Sequence, residues 1–560
     1  MKKNLFISIF ILSAAFSSCA KFLEEKNISG ITAENYYVDV AGYESLVNSC
    51  YASLRDIYGI NPSLFEWGTD IGTRGEIELV SGSANDVPAE QLNEYRTLTP
   101  DNGPINTFFS AAFSGIQSCN TAIHRADAIP DLGEELKARR TAEVRFLRAY
   151  YYYLLVENFG AVPIVEEEFT EPVSHFEPAS EQTVYEFLGN ELSAIIPSLE
   201  ADPTKVEAGR VTQGAAKQLH ALLYLTKGYK SFGSDADFVR AAQIGEELIN
   251  GSAYSLQPSF AEVFEPGNEK NREIIFSVQY GPQPGYNGNA QNIMFGWRYW
   301  REQGFDEVSA VTDYNRRRSD FMPTQFLYTL FNTAKDARYE ATFLSELYAT
   351  KDEGNIRKGD LRYYFPFPDQ PFTSTDEANL KANNPRVEVI RFERWKQAFS
   401  NVGGAEKFPM INKFYAPDAG LPYNNEFTYA STKDVFLFRL GETYLITAEA
   451  YYNAGETGKA VEKLNVLRER AAKAGQSLAI TAADVDLDFI LDERAREMAG
   501  EYKRWLDLKR TRKLERAFEH NILTKMANPS GIVDNKYYLR PIPQSVIDRD
   551  TGEYPQNDGY

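Results

Sequence analysis

The stretch that most constrains this chain is 434–471, DVFLFRLGETYLITAEAYYNAGETGKAVEKLNVLRERA. Phe436, Leu440, Tyr444, Ala448 and Tyr452 recur every four residues, which places them on one helical face. Asn453 to Thr457 interrupt that pattern. Gly455 suits a left-handed helix end, and Thr457 suits the cap of a new helix. Ala460, Leu464, Leu467 and Ala471 form a second apolar stripe. Helices joined by so short a turn lie antiparallel, and the small Ala448 and Ala460 let them approach closely. One hairpin cannot bury its own outer face, so other segments must cover it.

The spacing is that of a tetratricopeptide-type hairpin. Helical patterns upstream supply its partners: 43–57, 105–128, 136–159 (closed by Gly160 and Pro163), 182–199, 212–229 and 238–250. Together they make about four hairpin pairs. The expected fold is mainly α, a tetratricopeptide-like superhelix with a large irregular, loop-rich insertion at 252–432. Residues 61–101, rich in Gly, Ser, Asn and Pro, read as one long ordered loop. Within the insertion 273–279 is strand-like, GPQPGYNGNAQ is turn-rich, FGWRYW spans 295–300, and a helix is expected at 324–332. After the hairpin, 489–510 reads as one helix with Glu493, Glu497 and Glu501 a turn apart, and the Pro-rich tail as chain extended over the surface. The expected domains are 19–251, 252–432 and 433–560, with the first and last packed as one helical body.

The net charge is −20 over 560 residues, which argues against nucleic acid as a partner. Residues 1–18 read as a leader: Lys2 and Lys3, an apolar run from Leu5 to Phe16, then Ser17-Ser18-Cys19. That junction resembles a lipobox, which makes Cys19 the diacylated first residue of the mature protein; two acyl chains anchor stably. The acidic pair Glu24-Glu25 resembles signals that send lipoproteins to the cell surface. Export permits a disulfide, but Cys50 and Cys119 both sit in helical apolar patterns, where buried free thiols fit equally well.

No catalytic reading survives. Glu493 and Glu497 lie on one helix and cannot face each other across a cleft as glycosidase carboxylates do. Gly455-Glu-Thr-Gly458-Lys459-Ala460 lacks the first Gly and the Ser/Thr of a phosphate loop. Asp484, Asp486 and Asp488 lack the Gly and closing Glu of a calcium loop, and the four histidines show no metal-ligand spacing. No metal and no cofactor is implied.

Motifs along the whole chain carry a resemblance: Thr32-Ala-Glu-Asn-Tyr36, Ala142-Glu-Val-Arg-Phe-Leu-Arg-Ala149, Phe159-Gly-Ala-Val-Pro163 and Asp336-Ala-Arg338. In the C-terminal region they are Ala448-Glu-Ala450, Leu464-Asn-Val-Leu-Arg468, Glu493-Arg494 with Glu497, Arg504-Trp-Leu-Asp-Leu508, Pro541-Ile-Pro543 and Gln556-Asn-Asp-Gly-Tyr560. In this order, behind a lipobox, they resemble the SusD/RagB family of outer-membrane nutrient-binding lipoproteins. The resemblance implies a surface-exposed lipoprotein that binds oligosaccharide, catalyses nothing and partners a SusC-like TonB-dependent transporter. A peptide-binding RagB-like uptake component, or a tetratricopeptide scaffold with no small ligand, are the alternatives. The charged motif residues Glu143, Arg145, Arg148, Glu493, Glu497 and Arg504 are expected to form ion pairs where helices cross.

A sugar ring offers an apolar C–H face rimmed by hydroxyls, so its receptor needs exposed aromatic rings beside Asp, Asn and Arg. Trp67, Asp70, Arg74 and Tyr95 in the first loop, and Trp297, Tyr299 and Trp300 in the second, are the expected ligand platform. If 297–300 is extended, alternation turns at least one ring outward. The opposing reading is that each ring is a small core under its loop.

Overall fold

The structure is a computed structural model. It describes residues 36–59, 63–75, 87–169, 171–281, 288–306, 313–315, 317, 320–398, 407–417 and 431–560, with side chains of 396–398 excepted. The leader, Cys19, Glu24 and Glu25 lie outside the described residues.

The chain is mainly helical. Ten helices carry the frame: α1 (Val40–Ala52), α2 (Gly103–Arg125), α3 (Glu134–Phe159), α4 (Glu181–Ile195) and α5 (Gln213–Gly228), then α6 (Asp235–Ile249), α7 (Leu440–Asn453), α8 (Thr457–Ala471), α9 (Leu487–Met498) and α10 (Arg504–Arg510). Their starts follow capping chemistry. Asp39 accepts from Gly42 N, Ser180 from Thr183 N and Asp486 from Phe489 N, while Ser234 and Asp237 form a reciprocal box. From α2 to α8 each helix packs on the next, and α6 lies against α7 although about 190 residues separate them in the chain.

Helix α3 is the axis of the N-terminal half. From Ala142 onward almost all of its residues are buried, including four consecutive tyrosines. A helix buried all round must satisfy each polar group internally. Tyr150 Oη meets Tyr58 Oη at 2.6 Å and Tyr151 donates to Cys50 O at 2.9 Å. Tyr152 donates to Val165 O at 3.1 Å, and Tyr153 Oη lies 3.3 Å from Thr226 Oγ1. Cys50 and Cys119 are free and buried.

Five expectations are corrected. Residues Val435–Arg439 form a strand, so Phe436 is not helical; this strand pairs antiparallel with Ile274–Val278, Val278 opposite Val435. Helix α7 starts only at Leu440, and Thr457 is the first residue of α8 rather than its cap. The 489–510 helix breaks at Gly500 (φ +78°) and Tyr502 (φ +61°), which turn α10 away from α9. The first loop contains helices Ser63–Glu66 and Val87–Glu94 and the strand Gly72–Arg74. The tail is not merely superficial: Arg540 is fully buried, 4.0 Å over the Trp505 ring.

The insertion is tied to the hairpins by a buried ionic network. Arg338 bridges Asp336 (2.8 Å), Glu493 (2.8 Å) and Glu497 (3.0 Å), while Arg439 reaches Glu497 (2.7 Å), Glu501 (2.8 Å) and Glu273 (3.1 Å). The pairing expected of Glu493 and Glu497 is thus realised with Arg338, Arg439, Arg468 and Arg470. In the N-terminal half Arg145 and Arg148 both take Glu191, and Glu143 takes Arg140 and Arg210. Removing one member of such a buried pair strands its partner, which costs about 3–5 kcal/mol.

Candidate functional site

The insertion is knitted by short strands. Gly72–Arg74 pairs with Phe321–Pro323, and a three-stranded sheet of Glu346–Tyr348, Leu361–Tyr364 and Glu388–Val389 follows. The strand Phe321–Pro323 joins the two expected ligand loops, through Gly72–Arg74 and through the bridge Phe295–Phe321, and most of their side chains face inward.

Asp70 is fully buried. Arg504 grips both of its oxygens (2.7 and 2.6 Å) and Arg516 adds a third bond at 2.9 Å. Burial alone would raise its pKa, but the two guanidinium groups bring it down to about 2. Arg74 pairs with Glu94 at 2.9 Å and its backbone N–H donates to Asn93 Oδ1. Trp67 is buried and donates Nε1–H to Asp320 O at 2.9 Å. Tyr95 donates to Gly68 O at 2.6 Å, and its ring packs on Phe518 and Tyr537.

The second loop divides. Trp297 is buried, donates to Phe408 O at 3.0 Å and meets Tyr299 and Tyr363 edge-on. Tyr299 is buried and donates to Asn315 O at 2.7 Å. Tyr299–Arg301 is a single 3-10 turn, not extended chain, so strand alternation does not apply. On that turn Trp300 alone keeps part of its ring in solvent, with Nε1–H on Arg317 O at 3.0 Å. Of the seven expected platform residues, Trp300 alone is part-exposed. The other six are buried, and for the four rings among them the opposing reading holds.

Other rings adjoin this turn. Tyr299 packs edge-on against the half-buried Tyr314 at 5.7 Å, whose hydroxyl accepts from Tyr348 N at 2.9 Å. Tyr348 is 41% exposed and its hydroxyl donates to Glu346 Oε2 at 2.5 Å. Leu347 between them is fully buried, so Glu346 and Tyr348 share the outer face, with half-buried Tyr364 opposite Glu346. Sequence reasoning missed this strip. The alternation Glu346-Leu347-Tyr348 was its signal, but three residues are too few to stand out. Arg301 was also missed; its guanidinium lies 4.9 Å from the Trp300 ring centre.

A groove lies between the 203–210 segment and the strand Ile274–Val278. It encloses about 360 Å³ beside Arg210, Gln279 and Asp434. Burial pushes Asp434 up to about 6, although Tyr280 N and Gln279 Nε2 donate to it at 3.0 and 2.7 Å. Among the described residues no cluster of His, Cys, Asp and Glu has metal-site geometry.

The helical frame thus carries part-exposed rings, Trp300 beside Arg301 and Tyr348 beside Glu346. Comparison with known proteins places it. The model of the SusD family matches residues 272–560, and that described as starch-binding associating with outer membrane matches residues 21–225. The chain belongs to the SusD family, whose surface glycan-binding, outer-membrane-associated members bind without catalysis. The SusD-like protein P2 of Formosa agariphila is 25% identical over 99% of both chains. The starch-binding protein SusD of Bacteroides thetaiotaomicron is 27% identical over 75% of this chain and 73% of its own. Among solved structures, a laminarin binding SusD-like protein superposes with a TM-score of 0.67 at 24% identity, covering 94% of this chain and 100% of that one. Surface glycan-binding protein A of B. thetaiotaomicron, in complex with laminarihexaose, gives 0.67 at 20% identity over 93% and 100%. These two superpositions bear on the fold.

Proposed function

We propose that this protein captures oligosaccharide at the cell surface and delivers it to a SusC-like TonB-dependent transporter, anchored in the outer membrane through lipid on Cys19. The observation that carries the ligand reading is the part-exposed Trp300, on the same 3-10 turn as Tyr299, whose ring packs against Tyr314. An aromatic face takes the C–H face of a pyranose, and the neighbouring polar groups take its hydroxyls. Names of relatives that bind starch and laminarin support the class of ligand. The anchor and the transporter rest on the leader sequence and on family membership.

Calorimetry against a panel of oligosaccharides tests the reading. Trp300→Ala should weaken binding by about 2 kcal/mol, roughly thirtyfold in Kd, with melting close to wild type. Trp297→Ala should instead cost about 3–5 kcal/mol of stability, because its ring is fully enclosed. Undiminished binding in Trp300→Ala moves the site elsewhere. Affinity for peptides with none for glycans replaces the function.

A further inference from the structure

Acids outnumber bases 79 to 59 in this chain, so a surface arginine without a carboxylate is unexpected. Three arginines meet no carboxylate among the described residues: Arg301 against the Trp300 ring, and Arg362 and Arg386, which follow it through main-chain carbonyls. The exposed Arg301 is oriented by the Trp300 ring, 4.9 Å away, and forms no ion pair among the described residues. Two residues on, Gln303 O accepts from Arg362 Nε at 3.3 Å. Arg362 Nη1 donates to Arg386 O, and Arg386 Nε to Asn355 O at 3.2 Å. Each guanidinium is aimed by a ring or a carbonyl, neutral partners that fix its direction and leave its charge whole.

Four acids of these segments have partners of their own. Glu302 takes Lys407 and the Tyr363 hydroxyl, and Glu388 takes Lys407 and Arg394. Glu353 takes Lys351 and Gly304 N, and Asp360 accepts from Arg357 N. The net charge of −20 does not decide the local potential, because exposed charges beyond about 8 Å are largely screened at physiological salt. The acidic total alone suggests poor attraction of anions; the arrangement of Arg301, Arg362 and Arg386 reverses that for this patch.

We infer that this patch is a subsite for an acidic sugar residue, one bearing a carboxylate or a sulfate ester, next to the stacking surface of Trp300. The inference rests on the glycan reading above and names its substrate class. A planar guanidinium matches either anion bidentately, while the ring takes the apolar face of the same or the adjoining sugar.

Titration calorimetry on the full chain tests it in three arms. Oligogalacturonate and oligoalginate present carboxylates, carrageenan oligosaccharides present sulfates, and laminari- and malto-oligosaccharides are neutral. One acidic arm is expected to bind roughly tenfold or more tighter than the neutral arm, and to weaken severalfold between about 50 and about 300 mM salt. Which acidic arm binds identifies the anion. Arg301→Gln and Arg386→Gln should each lose roughly tenfold against the acidic ligand, and Arg301→Lys should recover part of that loss. Arg301→Gln removes no internal hydrogen bond among the described residues, so its melting temperature should not move. Equal affinity for neutral sugars, or acidic binding indifferent to these variants, overturns the inference. A protein that binds neutral sugar through Trp300 and no acidic sugar keeps its proposed function and loses this subsite. One that binds no glycan loses both.

Discussion

Whether a buried carboxylate carries its charge here depends on which cations reach it. Asp70 and Glu66 lie four residues apart and are both fully buried. Asp70 is gripped by Arg504 and Arg516 and stays ionised down to about pH 2. Glu66 is met by backbone N–H groups, of Lys503 at 3.2 Å and of Tyr502, and not by a paired cation, while its Oε2 has no hydrogen-bond partner among the described residues. Burial therefore pushes its pKa up to about 8. An acid whose folded pKa lies above its unfolded value binds more protons folded than unfolded. Glu66 thus costs nothing below about pH 4.5, and its ionisation erodes stability as pH rises toward 8, by about 5 kcal/mol at most. Glu66→Gln keeps the acceptor and removes the titration. Its stability advantage over wild type should grow from pH 5 to pH 8 and then level off, as read by urea denaturation at each pH. An advantage independent of pH would show that Glu66 does not titrate in this window.

At the scale of elements, the turn between α9 and α10 can be tested most directly. Gly500 adopts φ +78°, and a Cβ there would meet the Phe414 ring at 2.8 Å. Gly500→Ala should cost about 2 kcal/mol or more, since the left-handed backbone alone costs about 1–2. Gly189, inside α4 with open space around it, gives the opposite sign: Gly189→Ala should gain about 0.5–1 kcal/mol. Chemical denaturation of the pair checks both. Equal effects would mean that backbone conformation does not set either value. These elements also show what the sequence could tell. A helix such as α5 was legible because periodicity and caps are local properties, and α3 because Gly160 and Pro163 mark its end. The strand Val435–Arg439 was not, because Phe436 and Leu440 fit a helical spacing and the pairing strand lies about 160 residues earlier. The break at Gly500 was masked by the regular recurrence of Glu493, Glu497 and Glu501. Of the expected platform residues, Trp300 alone is part-exposed. Whether a Trp faces solvent is decided by distant acceptors, Asp320 O for Trp67 and Phe408 O for Trp297, and no local pattern reports them.

For the whole molecule, the question is whether the N-terminal helices can stand without the hairpin that follows the insertion. Helix α6 packs on α7 so closely that a Cβ on Gly245 would fall 2.0 Å from Thr447 Oγ1. Gln218 on α5 bonds Thr443 and Glu442, and Tyr229 donates to Glu449 at 3.0 Å. Glu157 at the end of α3 is fully buried between Lys230 and Lys509, which hold its pKa low against the effect of burial. One continuous apolar core also runs from Tyr43 through the insertion to Tyr554. A fragment ending at residue 250 would uncover the α6 face, strand these polar groups and remove one of the two cations on Glu157. Each buried group so stranded costs about 1–3 kcal/mol, against a total stability of about 5–15 kcal/mol for a domain. Fragment 36–250 expressed alone should therefore melt without a cooperative transition and bind a hydrophobic dye, while the intact protein unfolds in one step. A sharp melting transition with native near-ultraviolet circular dichroism in that fragment would show that the N-terminal helices form an independent domain.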